Sequence, residues 1–215
     1  MKDAPARLLA EFTGVFFLCF FGIGAITNDA GLTGVALAHG IAIFVAICAF
    51  GHISGAHFNP AVTTALAATK RIAPGDAGAY IVAQLLGGAF AAVLAKMAFG
   101  SVSGVPALGD GVSVSSGIIL EAVTTFVLMI TIMGVAVDKR GSFSIVAGLP
   151  IGLAITGDIF FAGPVTGAAM NPARWFGPAM VGGSMSNAIV WIVGPVLGAL
   201  VAAFLYDAVM KTPKS

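Results

Sequence analysis

Eight apolar segments divide the chain, and two of them are about half as long as the rest. The long ones lie at about 8–27, 33–51, 78–99, 117–137, 143–162 and 187–209. A helix needs ~20 apolar residues to cross the hydrocarbon of a bilayer, so each of these six predicts a span. The short pieces, about 59–69 and 171–181, follow the second and fifth spans. At ~1.5 Å per residue each reaches only about halfway through, which predicts two re-entrant half-helices. Charged residues make up 9% of the 215, against ~25% in an ordinary soluble domain. Too few charges remain to clothe a surface in water. The chain therefore reads as an all-α integral membrane protein.

The basic residues fix the number of crossings. Lys2 and Arg7 precede the first span, Lys70 and Arg71 follow the first short piece, Lys139 and Arg140 lie between spans four and five, and Lys211 and Lys214 follow span six. Six crossings with both termini inside put all eight on the cytoplasmic side, as the positive-inside rule requires. A full crossing by either short piece would split them between the two faces. The short termini predict the inner membrane of a prokaryote rather than an organelle. No basic run is present, which argues against a nucleic-acid partner.

The sequence also repeats. Glu11 in "LLAEFTG" and Glu121 in "IILEAVT" open matching spans, and an Asn-Pro-Ala triplet follows each at similar spacing, Asn59-Pro60-Ala61 and Asn171-Pro172-Ala173. "GHISGAHFNPA" aligns with "AGPVTGAAMNPA" at Gly51 and Gly163, Ser54 and Thr166, and Gly55 and Gly167. Residues 1–105 and 106–215 thus form two repeats, each with three spans and one half-helix. Three is odd, so the halves have opposite orientation in the membrane. Inverted repeats of this kind belong to transport proteins, whose ligand path runs through the midplane where broken helices meet.

Asn is a strong helix N-cap, and Pro suits the first helical position because its missing N–H has no partner there anyway. Irregular backbone at membrane depth persists only where it is buried in protein or lines a water-filled cavity. Two loops entering from opposite faces would point two helix N-termini, each carrying about +0.5 charge, at one spot. Such a place repels cations and accepts a neutral molecule with an oxygen lone pair. An ion-coupled transporter would usually keep an ionisable group at that site, whereas here Asn59 and Asn171 occupy it. Three histidines without an acidic cluster exclude a catalytic metal centre of the usual kind. No nucleophile triad or carboxylate pair stands out, so no enzyme and no cofactor are expected.

The motifs "SGAHFNPAVT" and "NPAR" at repeat-related spacing resemble those of the aquaporin, or major intrinsic protein, family, and the resemblance extends over nearly the whole chain. It implies six tilted helices, two half-helices stacked at the midplane, a pore in each subunit and a homotetramer. Half-helix dipoles and an Arg that exclude protons and cations are the known selectivity principle of such channels. By motif spacing the family's selectivity filter falls on His39, Ile159, Ala168 and Arg174. Glu11 and Glu121 are expected to accept backbone N–H groups from the re-entrant loops. His52 and His57, which flank the first loop, are expected to support it.

The filter composition bears on what passes. Water-specific members usually carry a bulky aromatic at the helix-two position and His at helix five, where this chain has His39 and Ile159. The set resembles plant tonoplast-type and archaeal members of the family. Losing a polar group at Ile159 beside the small Ala168 predicts a wider opening, hence a water channel leaky to small neutral solutes, with glycerol or ammonia facilitation as the alternative. Trp175 stands where glycerol facilitators usually have Asp, and Asp158, next to Ile159, predicts either an attraction for cations at the mouth or a solvent-facing group. A plugged pore in a junction protein is a further alternative, if Phe58 and Met170 fill it. Small-residue stripes at Ala83, Gly87, Ala91 and Ala95 and at Gly194, Gly198 and Ala202 predict close helix contacts.

Overall fold

The computed structural model describes residues 3–140 and 146–210. Among them are eight α-helices: α1 (Ala4–Thr27), α2 (Gly31–Ser54), α3 (Pro60–Ala68), α4 (Pro74–Phe99), α5 (Val114–Ile132), α6 (Gly148–Thr166), α7 (Pro172–Gly182) and α8 (Ala188–Leu205). α5 and α8 continue as π-helical turns, Met133–Val137 and Tyr206–Met210. Six of the helices are long and apolar enough to cross a membrane. The 24 residues of α1 extend ~36 Å, whereas the 9 of α3 and 11 of α7 reach less than half that. The predicted fifth span, 143–162, begins on residues outside the described ones, and its helix continues to Thr166, where Gly167 ends it in the left-handed conformation (φ 79°). Lys2, Lys211 and Lys214 also lie outside the described residues.

Basic side chains gather at one end of the bundle. Arg7 at the start of α1 lies over the Tyr80 ring of α4, 5.2 Å from its centroid. Arg71, just beyond α3, pairs with Asp207 in the π-turn after α8. Arg140, just beyond α5, donates to Asp138 and to the Met210 carbonyl. Lys96 stands in the last turn of α4, at the opposite end.

Helices in a bilayer gain nothing by hiding apolar surface from lipid, so they associate through close packing. The two predicted small-residue stripes provide it. Gly87 of α4 faces the Phe12 carbonyl of α1, and Gly198 of α8 faces the Ala122 carbonyl of α5. A Cβ at either glycine would overlap the opposing backbone. The same inverted relation thus governs both helix pairs. Across the centre, α2 and α6 meet at Gly40 and Gly152, where each carbonyl occupies the space the other's Cβ would need.

Replacing Gly198 with Leu must push α5 and α8 apart, and overpacking of this kind costs about 1–3 kcal/mol or more. Gly198→Leu is expected to lower the thermal unfolding midpoint in detergent. Gly75→Leu, at a glycine with open space around it, is expected to leave that midpoint nearly unchanged.

Candidate functional site

The two half-helices meet head to head. Asn59 and Asn171 have extended backbones (φ −159° and −154°) and cap α3 and α7. The Asn59 side-chain oxygen accepts from Ala61 N at 2.9 Å, and that of Asn171 accepts from Ala173 N at 2.9 Å and Arg174 N at 3.3 Å. Pro60 and Pro172 occupy the first helical positions. Each side-chain nitrogen then reaches into the other half. Asn59 Nδ2 donates to the Met170 carbonyl and Asn171 Nδ2 to the Phe58 carbonyl, both at 2.8 Å. A primary amide carries two hydrogens, so each Asn retains one beyond this cross-link.

The loops leading into the half-helices share one construction. Gly55, Ala56 and Phe58 have positive φ in the first loop (89°, 52° and 47°), and Gly167, Ala168 and Met170 in the second (79°, 43° and 51°). For a residue with a Cβ this conformation costs about 1–3 kcal/mol. A buried carboxylate offsets that cost in each loop. Glu11 accepts from Ser54 Oγ (2.7 Å), His57 N (3.0 Å) and Phe58 N (2.7 Å). Glu121 accepts from Thr166 Oγ1 (2.7 Å), Ala169 N (2.9 Å) and Met170 N (2.7 Å). Hydrogen bonds to a charged acceptor contribute about 1.5–3 kcal/mol each, the same order as the strain. Second contacts also correspond: Tyr80 Oη donates to the Ser54 carbonyl at 2.8 Å, and Trp191 Nε1 to the Thr166 carbonyl at 3.0 Å. One contact does not. Gln84 Nε2 donates to both Glu11 (2.7 Å) and Thr63 (2.9 Å), while in the second half Gly194 packs directly on the Glu121 side chain.

A cavity of about 390 Å³ runs past this junction from Arg71 at the basic end to Arg174. Asn59 and Asn171 both line it, and one wall is the apolar row Ile151, Ile155 and Ile159 of α6. Beyond Arg174 a second cavity of about 290 Å³ opens toward the other end. His39, Ile159 and Arg174 border both cavities, and Ala168 borders the first. Three of the residues predicted as a filter therefore separate the two spaces. His39 Nδ1 lies 2.8 Å from the Val35 carbonyl, so it carries the hydrogen, and Nε2 accepts from Arg174 Nε at 3.3 Å. The ring is a neutral acceptor in this arrangement, seated in a recess that a Cβ at Gly22 would fill.

The structure places further residues singled out in the sequence. His52 is exposed on the last turn of α2, whereas His57 lies inward, with Nδ1 3.1 Å from Thr63 Oγ1. Asp158 does not face solvent. It is buried at 7% exposure and borders neither cavity. Trp175 borders neither cavity and is stacked on Trp191, with ring centroids 5.7 Å apart and planes 8° from parallel. The Phe58 ring packs on Gly14 of α1 in a space that a Cβ there would occupy, and the cavity continues past it.

Two contributors were not singled out from sequence. The Gly104 carbonyl, in the loop between α4 and α5, accepts from Arg174 Nη1 at 3.1 Å. The Gly and Pro of "SGVPALGDG" mark a turn-rich segment but give no sign that it folds inward. The other is Arg71, which lines the first cavity at its basic end.

Replacing Glu121 with Ala would leave two buried N–H groups and the Thr166 hydroxyl without their acceptor, at about 1–3 kcal/mol each. Glu121→Ala is expected to yield little folded protein. Glu121→Gln keeps the shape but replaces one acceptor oxygen with a donor, so it should yield folded protein with a thermal midpoint in detergent below that of the parent.

The family model described as Major intrinsic protein matches residues 2–206. Aquaporin NIP1-1 of Zea mays is 43% identical over 218 residues, spanning 97% of this chain and 76% of that protein. Aquaporin TIP4-4 of Zea mays is 40% identical, spanning 93% and 84%. Aquaporin AqpM of Methanothermobacter thermautotrophicus is 39% identical, spanning 96% and 98%. The fold superposes on the X-ray structure of the aquaglyceroporin from Plasmodium falciparum with a TM-score of 0.88 at 25% identity, covering 97% of both chains. With its paired Asn-Pro-Ala half-helices and a family match over nearly its whole length, this chain belongs to the major intrinsic protein family.

Proposed function

We propose that this protein is a passive channel for water that also admits small neutral solutes. One observation carries the reading: the cavity from Arg71 to Arg174 passes both Asn side chains, and among the described residues no acidic side chain lines it. A cation in that passage would meet two helix N-termini and the Arg174 guanidinium with no counter-charge. Water, with both lone pairs and hydrogens, would exchange partners along the amides of Asn59 and Asn171 while the isoleucine wall offers none. The ion-coupled alternative has no lining carboxylate to bind or release a coupling ion.

His39, Ile159, Ala168 and Arg174 are the proposed filter. Arg174 is held in place by His39 and Gly104, so its charge is fixed rather than sweeping the opening. Glu11, Glu121 and His57 are proposed as loop supports. Solute leakage has its own support, since Ile159 supplies no polar group and Ala168 little bulk. The relatives named above include aquaporins and, by structure, an aquaglyceroporin. The repeats are assigned to 1–105 and 106–215, and both termini to the cytoplasmic side. A homotetramer is proposed for the assembled state, with exposed side chains such as Leu9, Val82, Leu86 and Leu153 facing lipid or a second copy. The aquaporins named above come from a plant and an archaeon and do not single out a prokaryotic inner membrane.

Stopped-flow light scattering on proteoliposomes tests the reading, with osmotic water flux and glycerol flux measured side by side. Fast water flux with slower but measurable glycerol uptake is expected. Arg174→Ala removes both bulk and charge and should raise glycerol flux relative to water. Water flux no faster than through protein-free liposomes would refute the channel.

A further inference from the structure

The basic end of the cavity carries an arrangement that the filter and the Asn junction do not explain. Arg71 follows the last residues of α3, where its backbone N–H bonds the Leu66 carbonyl at 2.8 Å. Its side chain borders the cavity together with Leu66, Ile132, Ala136 and Val137. The guanidinium is clamped by a fork of two hydrogen bonds to Asp207, Nη1 to Oδ2 at 2.7 Å and Nη2 to Oδ1 at 2.6 Å. A planar fork on a carboxylate fixes direction as well as distance.

Asp207 owes its position to an irregularity. It lies in the π-turn Tyr206–Met210 that continues the end of α8. The π-turn Met133–Val137 ends α5 and carries Ala136 and Val137 to the same cavity rim. The two turns are joined, since Tyr206 Oη donates to Asp138 Oδ2 at 2.9 Å. Hydrogen bonds from the Arg140 side chain hold the Asp138 carboxyl well below the usual carboxylate range, so it remains an ionised acceptor for that tie. Adjacent residues of one turn thus anchor to α5 through Tyr206 and restrain the Arg at the cavity mouth through Asp207.

We infer that Asp207 is a positioning residue which holds Arg71 against the wall, and that the pair forms a side-chain gate at the inner mouth of the conduit. Without the Asp207 carboxylate, only a longer contact among the described residues restrains the long Arg71 side chain, from Nη1 to the Thr69 carbonyl at 3.4 Å. It can then swing across a rim whose other named members are aliphatic. The inference rests on the water-channel reading and adds a second control point to it, at the end remote from Arg174.

The test is osmotic water permeability in proteoliposomes, normalised to folded protein, for the parent, Asp207→Asn, Arg71→Ala and the double variant. Asp207→Asn is expected to slow water roughly two- to five-fold, the population shift that a partly exposed ion pair can hold. Arg71→Ala should pass water at least as fast as the parent, and Asp207→Asn combined with Arg71→Ala should recover that rate. A double variant as slow as Asp207→Asn would mean structural damage rather than gating and would overturn the inference, as would an unchanged Asp207→Asn. A parent that passes no water would overturn the channel reading itself, a result distinct from either.

Discussion

Two side-chain amides hold the middle of this molecule together. The N-termini of α3 and α7 face each other inside the bundle, and their like dipole ends repel. Each capping Asn answers by donating to a carbonyl of the opposite loop. Those carbonyls belong to Phe58 and Met170, which present them only because their backbones adopt left-handed angles. The angles in turn persist because Glu11 and Glu121 take up the adjacent N–H groups. The carboxylates stay in position because α1 and α5 lie in close backbone contact with α4 and α8 through Gly87 and Gly198. Junction, loop strain, buried acids and glycine contacts form one dependent series.

The same series accounts for the chemistry of the passage. Buried acids are present in the bundle, but Glu11 and Glu121 are committed to the loops and do not line the cavity. What faces the cavity at its centre is amide and backbone on one side and aliphatic side chain on the other. The dipoles are fixed by the fold, so a permeating molecule meets a preset field rather than one that reorganises around it. That is a favourable setting for a small dipolar molecule and an unfavourable one for a cation.

The half-helices, the Asn caps and the paired Glu residues were legible because each rests on local chemistry stated twice in the sequence. A single Asn-Pro means little, but two at matched spacing after matched acids do not arise from helix starts alone. The contacts of Arg174 were less legible, since Gly104 reaches it from 70 residues away through a loop with no periodic pattern. Arg71 and Asp207, 136 residues apart, meet only because the last turn of the re-entrant α3 and the end of α8 lie at the same end of the bundle. Helix faces were the hardest to read. Lipid is as apolar as the protein interior, so these spans are greasy all round, and nothing in the pattern tells which stripe lines a path. That is why the sequence leaves Asp158 open between two positions and does not show that His52 is exposed. One residue of rotation on α6 separates Ile159, on the cavity wall, from Asp158, which borders neither cavity. His52 sits in sequence beside the loop yet turns outward from the end of α2.

The central claim is that the midplane junction passes neutral molecules while refusing cations, protons included. The most direct measurement is proton flux into proteoliposomes under an imposed pH gradient, read with an entrapped pH-sensitive dye on the same preparation used for osmotic water flux. The account predicts rapid water flux with proton flux no greater than through protein-free liposomes. Proton flux that rises in proportion to the reconstituted protein, alongside water, would contradict it.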